Sequence, residues 1–267
     1  VEQAATADTQ PLAGPLPEVS GLLDGLPRQR VQTASAPSSA APARPVEPRT
    51  GLRPWRVLPT PSGTPFTFGF AAVLLATSLI STYASSSLVY ALQQGSSTDV
   101  AHLIRTPVLV LLASALWVAG GLVSPYVLCF LVVLTALERR IGGARTAVVF
   151  LVGHVLATLA TEGGVGLGVL FGDLPHTSLH RLDYGISFGV ASSVGALAGL
   201  LTPWLRWPLL VLFGGMLIQD LIAYTDPMTN WGHLISLAIG VSCWPKARHW
   251  HQAHKTETRR APHPQPA

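Results

Sequence analysis

Three serines and one histidine carry the chemistry that this sequence offers. Residues 182–199 are apolar, crowded with small side chains, and hold hydroxyls at Ser187, Ser192 and Ser193. A helix with so little bulk lets neighbouring backbones approach closely, which suits the centre of a membrane bundle. A serine there is either packing filler or a nucleophile, and a hydroxyl is a weak nucleophile until an adjacent base takes its proton. His233 is the candidate base, because a histidine in a membrane segment is costly and marks function. Its structural alternative is an interfacial histidine hydrogen-bonded to Asn230 or Asp226. His154 lies in another apolar stretch and reads as a packing or hydrogen-bonded histidine. His176 and His180 share a Gly-rich loop with no third ligand at a sensible spacing, and Cys129 and Cys243 sit inside apolar runs as small hydrophobes. No metal or cofactor is expected.

The elements that must position these residues follow from composition. Of 267 residues 49% are hydrophobic and 11% charged, and between Phe66 and Pro245 the charges interrupt long apolar runs. Soluble cores do not need such runs, whereas a helix crossing a bilayer needs about 20 apolar residues. The fold class is therefore all-α, a polytopic membrane bundle. Twelve of the 22 prolines lie in residues 1–65, which have no hydrophobic period and read as a disordered cytoplasmic tail. Residues 66–245 form the membrane domain and residues 246–267 a basic cytoplasmic C-terminal tail. No basic stripe with interleaved aromatics appears, so nucleic acid is not an expected partner.

Six crossings are expected, near residues 68–92, 122–137, 146–161, 184–201, 209–223 and 231–244. Residues 106–119 form an embedded or interfacial segment between the first two, and residues 162–183 a Gly-rich loop. With both ends in the cytoplasm, the arginines before Phe66, Arg139, Arg140, Arg145, Arg206 and the basic C-terminus all fall inside. Arg105 and Arg181 fall outside together with Asp99, Glu162, Asp173, Asp183 and Asp226, so the positive-inside bias is strong. The plasma (inner) membrane is the expected location. Ser187 then lies about one turn below the outer end of the fourth span, at the roughly 1.5 Å rise of a helix. His233 has a similar depth in the sixth. Gly185, Gly189, Ala191 and Gly195 on one helix, with Gly232, Ser236 and Gly240 on the other, permit the two to pack closely.

Three motifs, which follow one another along the chain in the family's order, resemble the rhomboid family of intramembrane serine proteases. Gly185-Ile186-Ser187 resembles that family's Gly-x-Ser motif on the fourth helix, and His233, Ser236 and Gly240 resemble its sixth-helix pattern. Glu138-Arg139-Arg140-Ile141-Gly142-Gly143-Ala144-Arg145 resembles its charged turn after the second helix. The fit is to divergent, actinobacterial-type rhomboid-like proteins. The resemblance implies a six-helix fold with a Ser187/His233 dyad that cleaves the transmembrane segments of other proteins. Two departures stand out: Phe188 follows the serine where the family usually has glycine, and residues 122–137 contain neither His nor Asn of the family's His-x-x-x-Asn oxyanion motif. Ser192 is an alternative register for the nucleophile, and His154 a possible substitute donor. A catalytically inactive rhomboid-fold protein that binds client transmembrane helices within the lipid is the alternative function.

Overall fold

A computed structural model describes residues 58–224 and 226–260. The expected tail over residues 1–65 lies outside them, apart from its last eight residues, as does the extreme C-terminus. Every regular element among the described residues is helical.

Helix α1 (Pro65–Tyr83) starts at a proline, whose missing N–H costs nothing in a first turn. The amides that do need partners find them on another helix. The Glu138 carboxylate accepts from the Phe66 amide at 3.0 Å, the Thr67 amide at 2.7 Å and the Thr67 hydroxyl at 2.6 Å. The expected first span breaks after Tyr83, where Ala84 is extended and the chain restarts as α2 (Ser86–Gly95). The cause is the run Ser85, Ser86 and Ser87, since serine favours caps and turns over helix interiors. Two short helices follow, α3 (Val100–Arg105) and α4 (Pro107–Ala113), and α4 with a 3₁₀ turn over Ser114–Leu116 occupies the stretch expected to be embedded or interfacial. Gly120 and Gly121 then turn the chain into α5 (Pro125–Ile141).

Helix α6 (Gly143–Leu170) has 28 residues and runs nine past the expected end at Thr161, so much of the expected Gly-rich loop is helix. Glycines cost a helix about 1 kcal/mol each relative to alanine. That cost is outweighed where backbone groups in apolar surroundings must be satisfied internally. Helix α7 (Ser187–Ala198) is the centre of the bundle: every one of its residues after Ser187 is buried. It packs against α5, α6, α8 (Pro203–Ile222) and α9 (Pro227–Ser242). Its small residues allow this. A Cβ at Gly240 would fall on the Ser192 carbonyl, and one at Gly153 on the Ser192 side chain. Ser192 donates to the Val149 carbonyl at 2.9 Å, Ser193 to Gly189 at 2.7 Å, and Ser236 to the Phe188 carbonyl. Three of the buried hydroxyls are thus spent on backbone.

The far end of α7 is capped by cations. Arg206 donates from Nε to the Ala198 carbonyl and from Nη2 to Leu201, both at 2.9 Å, and Arg248 donates to Gly199 at 3.1 Å. Both guanidiniums lie over the Trp244 ring, 5.1 and 5.5 Å from its centroid. Positive charge at a helix C-terminus opposes the negative end of the dipole. The basic C-terminal segment is itself helical, α10 (Trp244–Arg260), and is tied to the α5–α6 turn by His251 at the Arg140 carbonyl and Arg145 at Glu257.

Six helices, α1 and α5 to α9, follow the order of the six expected crossings. Of these α1, α6 and α8 are long and apolar enough to cross a membrane alone. Helices α5, α7 and α9 are shorter, at 17, 12 and 16 residues.

Removing Glu138 should loosen the first helix. Glu138→Ala leaves two amides and a hydroxyl without their acceptor, at an expected cost of about 3 kcal/mol, seen as a lower thermal midpoint in detergent. Glu138→Gln, which keeps one acceptor oxygen, should lose less.

Candidate functional site

Ser187 is the first residue of α7, and the loop before it is sewn to two other segments. The Asp183 carbonyl accepts from the Thr98 amide at 2.8 Å, and the Asp183 amide donates to the Ser97 hydroxyl at 3.0 Å. The Gly185 amide donates to the Ser114 carbonyl at 3.0 Å. Gly185 has φ +135°, which side chains rarely adopt, and this turn aims the chain into the helix. Ser187 is half-buried and makes no hydrogen bond among the described residues.

His233 lies in the second turn of α9 and is 6% exposed. Its ring is held on two sides. Tyr126, from the first turn of α5, stacks on it at 5.3 Å and 21°, and Phe188 meets it edge-on at 5.2 Å and 75°. The Phe188 ring fills a slot against Thr161 that exists because Gly232 has no side chain. The aromatic after the serine is therefore a wall for the histidine, and a glycine there would leave His233 open on that side. Neither His233 nitrogen has a hydrogen-bond partner among the described residues, nor does the Tyr126 hydroxyl.

Ser187 and His233 line the same cavity, of about 390 Å³, together with Tyr126, His154, Thr158 and Asp226. No hydrogen bond joins the two side chains. The alternatives for His233, Asn230 and Asp226, are engaged elsewhere: Asn230 donates to the Asp220 carbonyl at 2.9 Å, and Asp226 caps α9 and binds Arg181. Ser192 is fully buried and committed to Val149, so it has no access to the cavity. His154 is hydrogen-bonded, with Nε2 at 3.0 Å from the Ser114 hydroxyl, and it also reaches the cavity wall. His176 and His180 fall in a 3₁₀ turn (His176–His180) and neither lines the cavity. Among the described residues no three His, Cys, Asp or Glu side chains converge as metal ligands. Tyr126, Ser114 and Thr158 were not legible as site residues. Each comes from a different segment, and the only hint was Tyr126 directly after the helix-starting Ser124 and Pro125.

A cluster of charges braces the same end of the bundle. Arg181 donates from Nη2 to Glu162 at 2.7 Å and from Nη1 to Asp226 at 3.1 Å, with Asp183 at 4.0 Å. One guanidinium thus joins α6, the loop before Ser187 and the start of α9. Burial pushes the Asp183 carboxyl above its usual range, against the pull of Arg181. Burial also disfavours the Arg181 charge, but the Glu162 hydrogen bond and the surrounding carboxylates outweigh it and hold the guanidinium firmly protonated.

A family model described as rhomboid-like protein matches residues 62–253, a stretch that contains all of these groups. No curated protein and no solved structure matches the chain. Within the matched stretch Arg181→Ala should be among the most damaging changes, because it strands the 1%-exposed Glu162 carboxylate. The expected loss is about 3 kcal/mol, read as a drop in thermal midpoint. Glu162→Gln in the same background should recover part of it.

Proposed function

The chain belongs to the rhomboid-like protein family, and from that premise we propose that it is an intramembrane serine endopeptidase with Ser187 as nucleophile and His233 as base. Family membership and the apolar helices make it an integral membrane protein of rhomboid fold. The proteolytic reading is carried by one observation: Ser187 and His233, from two helices, open onto the same cavity, and both nitrogens of His233 lack a partner among the described residues.

The chemistry follows from these groups. Ser187 Oγ attacks the carbonyl carbon of a peptide bond while His233 takes its proton, so that the carbonyl π electrons move onto oxygen. The tetrahedral adduct collapses as the C–N bond breaks, and His233 returns the proton to the departing amine. Water then repeats the sequence on the acyl-enzyme and frees Ser187. The Ser187–His233 hydrogen bond has to form when substrate enters, as catalytic hydrogen bonds that are long in a free enzyme commonly do. The stacked Tyr126 ring and the Phe188 edge restrict His233 to a small set of orientations, which reduces what must be ordered in that step.

The substrates under this reading are transmembrane segments of other proteins, reached through the lipid. The arginine distribution supports six crossings with both termini in the cytoplasm, and a plasma-membrane location belongs to the same proposal. So does the cytoplasmic placement of residues 1–65 and of the basic segment 246–267.

A second reading has its own support. The absent Ser187–His233 hydrogen bond and the Phe188 ring against the histidine suit a fold that binds transmembrane helices without cutting them. Labelling with a fluorophosphonate separates the two. The wild-type protein in detergent should be labelled, Ser187→Ala should abolish the signal, and His233→Ala should reduce it by about 100-fold or more. A folded wild type that takes no label, or label that persists in Ser187→Ala, overturns the protease.

A further inference from the structure

Helix α10 (Trp244–Arg260) follows α9 after one intervening residue and runs across the end of the bundle at which α7 stops. The Trp244 indole donates to the Gly195 carbonyl at 2.7 Å, and further along the Trp250 carbonyl accepts from Arg145 at 3.3 Å. The inner face of the helix is marked by Ala247, which is fully buried, and by half-buried Trp250, His251 and His254. At about 100° per residue, Arg248, Lys255 and Arg259 fall about 100°, 80° and 120° around the axis from Ala247, all on one flank. Lys246 and Glu257 fall on the opposite flank, and Pro245, His249 and Thr256 take the side turned straight away from the bundle.

The three cations of that flank are exposed, and among the described residues none of them meets a carboxylate. Glu257, the one acid of α10, is held by Arg145 at 3.0 Å on the other flank. Lys255 and Arg259 lie four residues apart, a spacing at which like charges repel across one helix face. An anion shared between them removes that repulsion. A flank at right angles to the inner face points sideways, toward whatever surrounds the bundle at this level. The level is set by α8, which is long and apolar enough to cross a membrane and begins here. Trp204 and Trp207, near its start, are 86% and 59% exposed, and tryptophans gather at the headgroup level of membranes. Arg206, between them, reaches the same Gly199 carbonyl as Arg248, at 3.5 and 3.1 Å, so the row of cations starts at that edge.

We propose that this flank of α10 binds the headgroups of anionic phospholipid, with Lys255 and Arg259 as the principal cations and Arg248 at the near end of the row. Basic side chains clustered on a helix directly after a membrane helix draw anionic lipid by Coulomb attraction. A phosphodiester accepts charge-assisted hydrogen bonds from both arginine and lysine. Arg248 keeps Nε on the Gly199 carbonyl and meets lipid with its two other nitrogens, which make no hydrogen bond among the described residues. The site is at the opposite end of α7 from Ser187 and does not depend on the reaction proposed there.

The test uses the full chain in a neutral detergent, titrated with dioleoyl phosphatidylglycerol, dioleoyl phosphatidylcholine, inorganic phosphate or polyglutamate. Bound lipid is counted by native mass spectrometry, and thermal unfolding is followed for each protein and additive. Phosphatidylglycerol should bind more tightly than phosphatidylcholine and raise the thermal midpoint, and added salt should weaken it, since exposed charges are screened. The double variant Lys255→Gln, Arg259→Gln should bind phosphatidylglycerol about 25-fold more weakly, at about fivefold for each cation. Lys246→Gln, on the other flank, should bind as the wild type does. Equal affinity for the two lipids, or wild-type affinity in the double variant, overturns the proposal. So does a loss in Lys246→Gln as large as in the double variant, which would make net charge rather than this flank the cause. A midpoint raised as much by phosphate, or more by polyglutamate, replaces the lipid with a free anion or an acidic polypeptide. If the double variant fails to fold, Lys255→Gln alone decides, at about fivefold.

Discussion

The contact on which the rest of this molecule depends is backbone against backbone. At the Ser192 carbonyl, α7 touches α9 at a point where Gly240 has no side chain, and the Ser192 side chain occupies the space beside Gly153 of α6. Apolar attraction does little to join helices in lipid, because lipid tails are as apolar as leucine, so close packing and interhelical hydrogen bonds must do it. Ser192 and Ser236 supply those bonds within the same contact. The approach that lets α7 and α9 meet this closely also brings Ser187 and His233 onto one cavity, although they lie 46 positions apart in the sequence.

The polar groups divide between two tasks. At the end of the bundle that holds Ser187, Arg181 gathers three carboxylates from α6, a loop and the start of α9. At the other end, Glu138 satisfies the start of α1, while Arg206 and Arg248 close the end of α7 around Trp244. Arginines that topology alone would explain as cytoplasmic markers thus have specific acceptors. The two roles are compatible, since a helix C-terminus at a membrane surface presents carbonyls to whatever cation lies there.

How much of this was legible depends on whether the signal lay along the chain or across it. Gly185 and Ser187, or His233 with Ser236 and Gly240, are local patterns; Ser187 and the His233 group sit on the expected helices, and Gly185 lies in the loop just before α7. The match of residues 62–253 to a rhomboid-like family agrees with the resemblance those motifs carry. Helix lengths were less legible. Glycines 163, 164, 166 and 168 read as a loop, yet α6 continues through them with Glu162 held by Arg181. The first span looked continuous to Leu92, and the serines at 85–87 broke it. Least legible were the walls of the cavity. Tyr126, Phe188 and Thr158 acquire their roles from neighbours on other helices, and no spacing within a single helix encodes that a tyrosine on α5 will stack on a histidine of α9.

Because α7 is buried along its length and capped by protein groups at its far end, lipid has almost no direct hold on it. Helices α1 and α8 are the reverse, with few buried residues and broad apolar faces exposed. In a thinner or thicker bilayer the hydrophobic mismatch falls on such outer helices, which tilt to absorb it. The height of Ser187 is then measured from the Arg206 and Arg248 clamp rather than from the headgroups. The serine keeps its depth within the protein while the membrane around it changes thickness.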